Sequence, residues 1–257
     1  MKQGILVVSF GTSHEETRVK TIGAVEEAVK KTYPGLPVGS AYTSPIIRRI
    51  LAARGLEIDC LGKAIERMKE QGVEELIVQP THLICGEEFD KLKETVDRHK
   101  SEFAEVRLGW PLLHDTEDLH RVARIIGQAY PAREGQAVVM MGHGTEHTIN
   151  AVYPAMDYVF KECGFSHIYV ATVEGYPQVS TVISLLKEKK IREVVLAPLM
   201  LVAGDHARND MAGDEEDSWK NLFAKEGFQV RCVLKGLGEE EAIRALYLEH
   251  LSAAINA

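Results

Sequence analysis

The 257-residue chain has no run approaching the ~18 consecutive apolar residues that a membrane helix needs. Its first residues, MKQGILVVSFGTSHEE, hold one short apolar stretch that Gly11 and Thr12 interrupt. A signal peptide would need a longer apolar region followed by a small-residue cleavage site, so this segment reads as a buried strand and the protein as cytoplasmic. Cysteine is scarce: Cys60, Cys85, Cys163 and Cys232 are far apart and form no CxxC pair. That argues against a disulfide framework or a structural zinc site. Positive charge is outweighed, with 30 Lys and Arg against 38 Asp and Glu and a net charge of -8. Non-specific nucleic-acid binding, which needs basic side chains on phosphates, is therefore disfavoured. Neither a GxGxxG nor a phosphate-binding loop lysine is present to support phosphate cradling by glycines.

What is there has the composition of a globular protein, 45% hydrophobic and 26% charged. Eight short runs, several rich in Val, Ile and Leu, predict strands at 4–10, 37–42, 74–79, 104–109, 136–141, 167–172, 193–198 and 228–234. Several show little polar alternation, as parallel strands buried on both faces do. Helices are predicted between them at 14–32, 45–54, 61–71, 87–101, 116–129, 148–163, 178–189, 209–226 and 239–256. The alternation predicts an α/β fold with parallel sheets flanked by helices.

Eight strands would also suit a closed βα barrel, but an internal repeat argues for two halves. FGTSH at 10–14 echoes HGTEH at 143–147, pairing Gly11 with Gly144. EELIVQPTHLICGEEFDKL, from residue 74, echoes REVVLAPLMLVAGDHARND, from residue 192. The echo matches Pro80 with Pro198, Gly86 with Gly204 and Glu88 with His206. Two similar lobes are expected, 1–128 and 129–257, with a Pro- and Gly-containing linker near 128–136. The C-terminal helix is free to pack across onto the first lobe. Ligands of open α/β sheets bind beyond the carboxyl ends of strands, where the repeated motifs fall. The expected active site is the cleft between the lobes.

Three residues stand at such strand ends in the second half. His143 sits between two glycines after the apolar run Val138–Met141, where little side-chain bulk opposes the approach of a ligand or a second backbone. His206 follows an apolar run in LMLVAGDHARND, beside Asp205, which is a candidate to orient its ring. Glu174 lies in ATVEGYPQV, at the end of the strand 167–172. Taken singly, each also suits a bland role: a helix-capping histidine, a loop histidine paired with its neighbour, a solvated glutamate. Together, two imidazoles and a carboxylate suit a divalent first-row ion with open coordination positions, a set that hydrolases and oxygenases also use. His147 reads as a helix-start residue, while His14 and His82 are candidates to line the site.

LVVSFGTSHEET, QPTHLICGEEFDKL, VVMMGHGTEH, VEGYP, PLMLVAGDHARNDMAGDEEDSWK and GLGEEEAIRALYLEHL occur in that order along nearly the whole chain. Together they resemble the anaerobic sirohydrochlorin cobaltochelatases, class II tetrapyrrole chelatases of cobalamin biosynthesis. The resemblance implies two α/β lobes and ATP-independent insertion of Co(II), the substrate metal, into sirohydrochlorin or precorrin-2, with no organic cofactor. It places His143, Glu174 and His206 on the family's catalytic and metal-contacting positions, and Glu88, beside Glu87, on a further acidic position of the cleft. Metal insertion displaces two pyrrole N–H protons, and histidine is suited to accept one near neutral pH. Phe10, with Gly11 and Thr12, is expected to contact the macrocycle. Arg48, Arg49, Arg54 and Arg208 are candidates for its carboxylates. No nucleic-acid or membrane partner is implied, and a homo-oligomer is compatible with the reading. The alternatives are an iron or nickel chelatase, a non-catalytic metal or tetrapyrrole carrier, and a metal-dependent hydrolase.

Overall fold

In the computed structural model, which describes residues 1–257, eight strands form two separate four-stranded parallel sheets. The strands are β1 (Gln3–Ser9), β2 (Val38–Tyr42), β3 (Glu75–Pro80), β4 (Glu105–Leu108), β5 (Gln136–Gly142), β6 (Ile168–Thr172), β7 (Glu193–Pro198) and β8 (Gln229–Cys232). The helices are α1 (Glu15–Arg18), α2 (Ala24–Thr32), α3 (Pro45–Ala53), α4 (Leu61–Glu70), α5 (Glu87–His99), α6 (Thr116–Ala129), α7 (Val152–Glu162), α8 (Val179–Glu188), α9 (Trp219–Lys225) and α10 (Glu241–Ile255). Every predicted strand is found within two residues of its expected ends.

The sheets share one topology, β2-β1-β3-β4 and β6-β5-β7-β8. Their central strands are buried on both faces, which is why their sequences run apolar without alternation. In the first sheet Leu6, Val8, Leu76 and Val78 pack against Ala64, Ile65 and Met68 of α4 and Leu92 and Val96 of α5. In the second, Val139, Met141, Val194 and Leu196 pack against Val182 and Leu186 of α8 and Trp219 and Phe223 of α9.

The chain divides into two compact units, Met1–His114 with Gly238–Ala257, and Asp115–Leu237. The division thus falls at 114/115 and again at 237/238, rather than at 128/129. The reason is an exchange of helices. α6 follows β4 in sequence but packs on α7 in the second unit. α10 follows β8 but packs on α2, β3 and β4 of the first. There the fully buried Tyr247 donates its hydroxyl to the carbonyl of Thr81 at 2.8 Å. The segment 128–136, expected as a linker, lies inside the second unit, running from the end of α6 to the first residue of β5.

One predicted helix is not continuous. The segment 209–226 divides into a π-helical turn, Ala207–Met211, and α9, separated by residues 212–218. Gly213 and the acidic run Asp214–Asp217 fall in the gap, and Ser218 caps α9 by accepting from the Asn221 N–H at 3.4 Å.

Candidate metal centre

The second unit builds its site at the carboxyl ends of β5, β6 and β7. His143 is the first residue after β5 and Glu174 the second after β6. The two turns are joined through backbone: Val173 N–H donates to Gly142 O at 3.1 Å and Glu174 N–H to His143 O at 2.8 Å. Asn150 locks them from outside, accepting from Thr145 N–H at 3.1 Å and donating to Tyr176 O at 2.8 Å. Gly144 has φ +83°, and a Cβ there would stand 2.5 Å from the backbone nitrogen of Gly175. The glycine therefore makes room for a second backbone, one of the two uses expected of it. Beneath the turn, Tyr153 of α7 packs its ring where a Cβ on Gly142 would lie. Its hydroxyl is hydrogen-bonded to the His143 and Gly144 backbone, while burial holds the phenol pKa above its ordinary value.

His206 comes after β7, at the start of the π turn. β5 and β7 flank the point where the strand order reverses, the usual ligand position of such sheets. Ligand atoms from His143, Glu174 and His206 all lie within 4.8 Å of one another. The two imidazoles meet edge to face with centroids 4.6 Å apart. Glu174 Oε2 is 3.7 Å from His143 Nδ1, and both side chains are about half exposed, at 57% and 46%.

The hydrogen bonds assign the ring protons. His143 Nδ1 is 2.9 Å from Gly144 O. A carbonyl oxygen only accepts, so in the neutral ring Nδ1 carries the proton and Nε2 keeps its lone pair. His206 Nδ1 is 2.6 Å from Asp210 Oδ2. Both bonds use Nδ1, and neither uses Nε2. Two imidazoles and one carboxylate, all partly exposed, suit a borderline divalent cation with coordination positions left over.

The other predicted residues belong to the first unit. Phe10 follows β1 with 49% of its surface exposed. Gly11 has φ +105° and lies over the Tyr42 ring. Thr12 is buried, and its hydroxyl accepts from His14 N–H at 3.3 Å. Glu88, in the first turn of α5, receives the Thr43 hydroxyl at 3.3 Å and the Lys91 ammonium at 2.8 Å. His82 has both ring nitrogens buried with no hydrogen-bond partner. Desolvation pulls its pKa down to about 4, against an opposing pull from Glu88. Arg54 is committed to the loop, donating to Ser13 O at 2.6 Å. His147 starts a 3₁₀ turn, its Nδ1 accepting from Ile149 N–H at 3.1 Å. The residue that sequence reasoning missed is Asp210; the His-x-x-x-Asp spacing of HARND was its only signal.

A family model described as cobalt chelatase (CbiK) matches residues 3–256. The sirohydrochlorin cobaltochelatase of Salmonella typhimurium strain LT2 is 39% identical, over 100% of this chain and 97% of its own length. Sirohydrochlorin cobaltochelatase CbiKC of Nitratidesulfovibrio vulgaris strain Hildenborough is 34% identical, over 100% of this chain and 92% of its own. Among solved structures, SirB from Bacillus subtilis with Fe3+ shares the fold, with a TM-score of 0.69 at 17% identity. The alignment covers 100% of this chain and 97% of that one. With a family match over residues 3–256 and relatives aligned along the full length, this chain belongs to the cobalt chelatase (CbiK) family.

Proposed function

We propose that the protein is a sirohydrochlorin cobaltochelatase, inserting Co(II) into sirohydrochlorin or precorrin-2 without ATP, and that His143, Glu174 and His206 carry the reaction. The observation behind the residue assignment is the convergence of three ligand atoms within 4.8 Å from three separate strand ends. The reaction exchanges one Co(II) for two pyrrole protons, so a competent site needs a weak metal hold and a proton acceptor together. His143 and His206 offer Nε2 lone pairs to the ion, and Glu174 supplies the negative charge that retains it. As the ion passes to the macrocycle nitrogens, His143 Nε2 is released and takes up one of the two displaced protons, and the other passes to solvent water. An open three-ligand site lets the ion depart, which a closed four-ligand site would not. In the first unit, Phe10 offers an exposed aromatic face to the macrocycle, Gly11 and Thr12 shape the turn behind it, and Glu88 adds a carboxylate.

Intrinsic affinity of nitrogen and oxygen ligands rises from Co(II) to Ni(II), so cobalt insertion reflects supply and geometry more than binding strength. Anaerobic incubation with sirohydrochlorin and Co(II), Ni(II) or Fe(II), followed by visible spectra of the macrocycle, tests the reading. Cobalt insertion at many turnovers per protein is expected. A faster iron or nickel reaction would reassign the metal. Binding without turnover would make the protein a carrier.

A further inference from the structure

We infer that Asp210 is the positioning residue of the metal centre: its carboxylate holds the His206 ring so that Nε2 is the atom presented to the metal. The inference rests on the site proposed above and is argued from a difference between the two units. After Gly86, α5 anchors itself in the core with Phe89 and Leu92, at offsets of three and six residues. After Gly204, the matching segment anchors with Ala207 and Met211, at offsets of three and seven. The π turn accommodates the additional residue between anchors, an insertion that recurs at functional sites. Its effect is to move the register. The position six residues after the glycine, held by buried Leu92 in the first unit, is held by Asp210 in the second.

Asp210 is thereby turned out of the core, its side chain 47% exposed, and brought onto the His206 ring at 2.6 Å. An ionised carboxylate can only accept, so the neutral ring must keep its proton on Nδ1. That fixes both the tautomer and the direction of the remaining lone pair, as carboxylates behind metal-binding histidines do. His143 is held differently, by the Gly144 carbonyl within its own turn. One ring is thus fixed by backbone, the other by a replaceable side chain.

The test uses the full chain without tetrapyrrole. Nitrogen-15 NMR of the His206 ring reads the tautomer, and Co(II) titration followed by visible absorption reads the site. Asp210→Ala should give a folded protein in which the His206 proton is shared between both ring nitrogens, with Co(II) affinity reduced about 10- to 100-fold. Asp210→Asn keeps an acceptor and should retain the Nδ1–H form with a smaller loss. A folded Asp210→Ala protein with an unchanged tautomer and Co(II) affinity within about twofold of the parent would overturn the inference. His206→Ala separates the two readings. If it leaves Co(II) binding intact, the proposed metal site is wrong, while the tautomer measurement still decides whether Asp210 orients the ring.

Discussion

The ends of β1 and β5 are the same backbone carrying different chemistry. In the first unit Thr43 N–H donates to Ser9 O at 2.9 Å and Ser44 N–H to Phe10 O at 3.2 Å. In the second, Val173 and Glu174 donate to Gly142 and His143 in the same pattern. The central strands repeat it: Thr81 N–H to Val8 O at 2.8 Å, Leu199 N–H to Met141 O at 2.7 Å. Superimposed in this way, Phe10, Ser44 and Glu88 are the counterparts of His143, Glu174 and His206. The first set has been put to other uses. Ser44 caps α3 by accepting from Ile47 N–H at 3.3 Å, and Glu88 is paired with Lys91 and held by Thr43. The scaffold is therefore indifferent to the chemistry mounted on it. Three side chains and one inserted residue distinguish the proposed metal centre from its counterpart in the first unit.

Breaking that distinction should have its largest effect at His143. His143→Ala is expected to lower cobalt insertion by about 100-fold or more with the fold retained, the usual scale for removing a general base. Phe10→Ala should change turnover far less, through substrate binding. Steady-state rates of the two variants decide whether the units differ in role as described; near-parental insertion by His143→Ala would remove it from the chemistry.

The paired glycines come next. Gly144→Ala forces a left-handed backbone onto alanine and sets its Cβ against the Gly175 backbone, which has nowhere to yield. A loss of about 3 kcal/mol is expected. Gly11→Ala meets a tyrosine ring instead, 2.6 Å away at Tyr42 Cδ2, and should cost about 2 kcal/mol. Urea denaturation of both ranks them; equal losses would mean that the second backbone is not the tighter constraint.

His82 offers a comparison in pH. In the repeat its counterpart is Met200, which packs on the second unit's core. The folded state lowers the His82 pKa from 6.5 to about 4, so the unfolded chain binds more protons between those values. Its neutral form contributes stability that is fully present above about pH 6.5 and is lost as pH falls toward about 4, up to about 3 kcal/mol. His82→Met should flatten the melting temperature across that window. An unchanged acid slope would show that the ring nitrogens are solvated. The smallest effect is reserved for Tyr153→Phe, which removes a hydroxyl from beneath the His143 turn but leaves the ring in place. About 1 kcal/mol of stability should go. A full-strength Co(II) site in that variant would show that packing alone holds the turn.

Much of this was legible in residue order. Val- and Ile-rich runs without alternation marked the buried strands, and the FGTSH and HGTEH echo exposed the duplicated scaffold. The His143, Glu174 and His206 set was legible because His143 and Glu174 stand beside strand ends and His206 closes the loop that follows β7. What escaped was decided at a distance. Periodicity places α6 and α10 as helices but carries no record of which sheet each will cover. The 114/115 division follows from packing that no local signal encodes. The helix expected at 209–226 was broken by Gly213 and four consecutive acids whose mutual repulsion an apolar periodicity count ignores. Asp205 looked like the carboxylate for His206 because it is adjacent. On a helical turn, neighbours four apart face each other and those one apart do not, so Asp210 reaches the ring.

The placement of α10 also bears on how the protein is made. The unit that bears the proposed metal centre is one unbroken stretch, Asp115–Leu237, synthesised in full before α10 begins. The other unit begins earlier, but its core lacks Leu246, Tyr247 and Leu251 until α10 has left the ribosome. Because domains fold as units, the later stretch has its full core available during translation before the earlier one does. The first unit is opened before the second and closed after it.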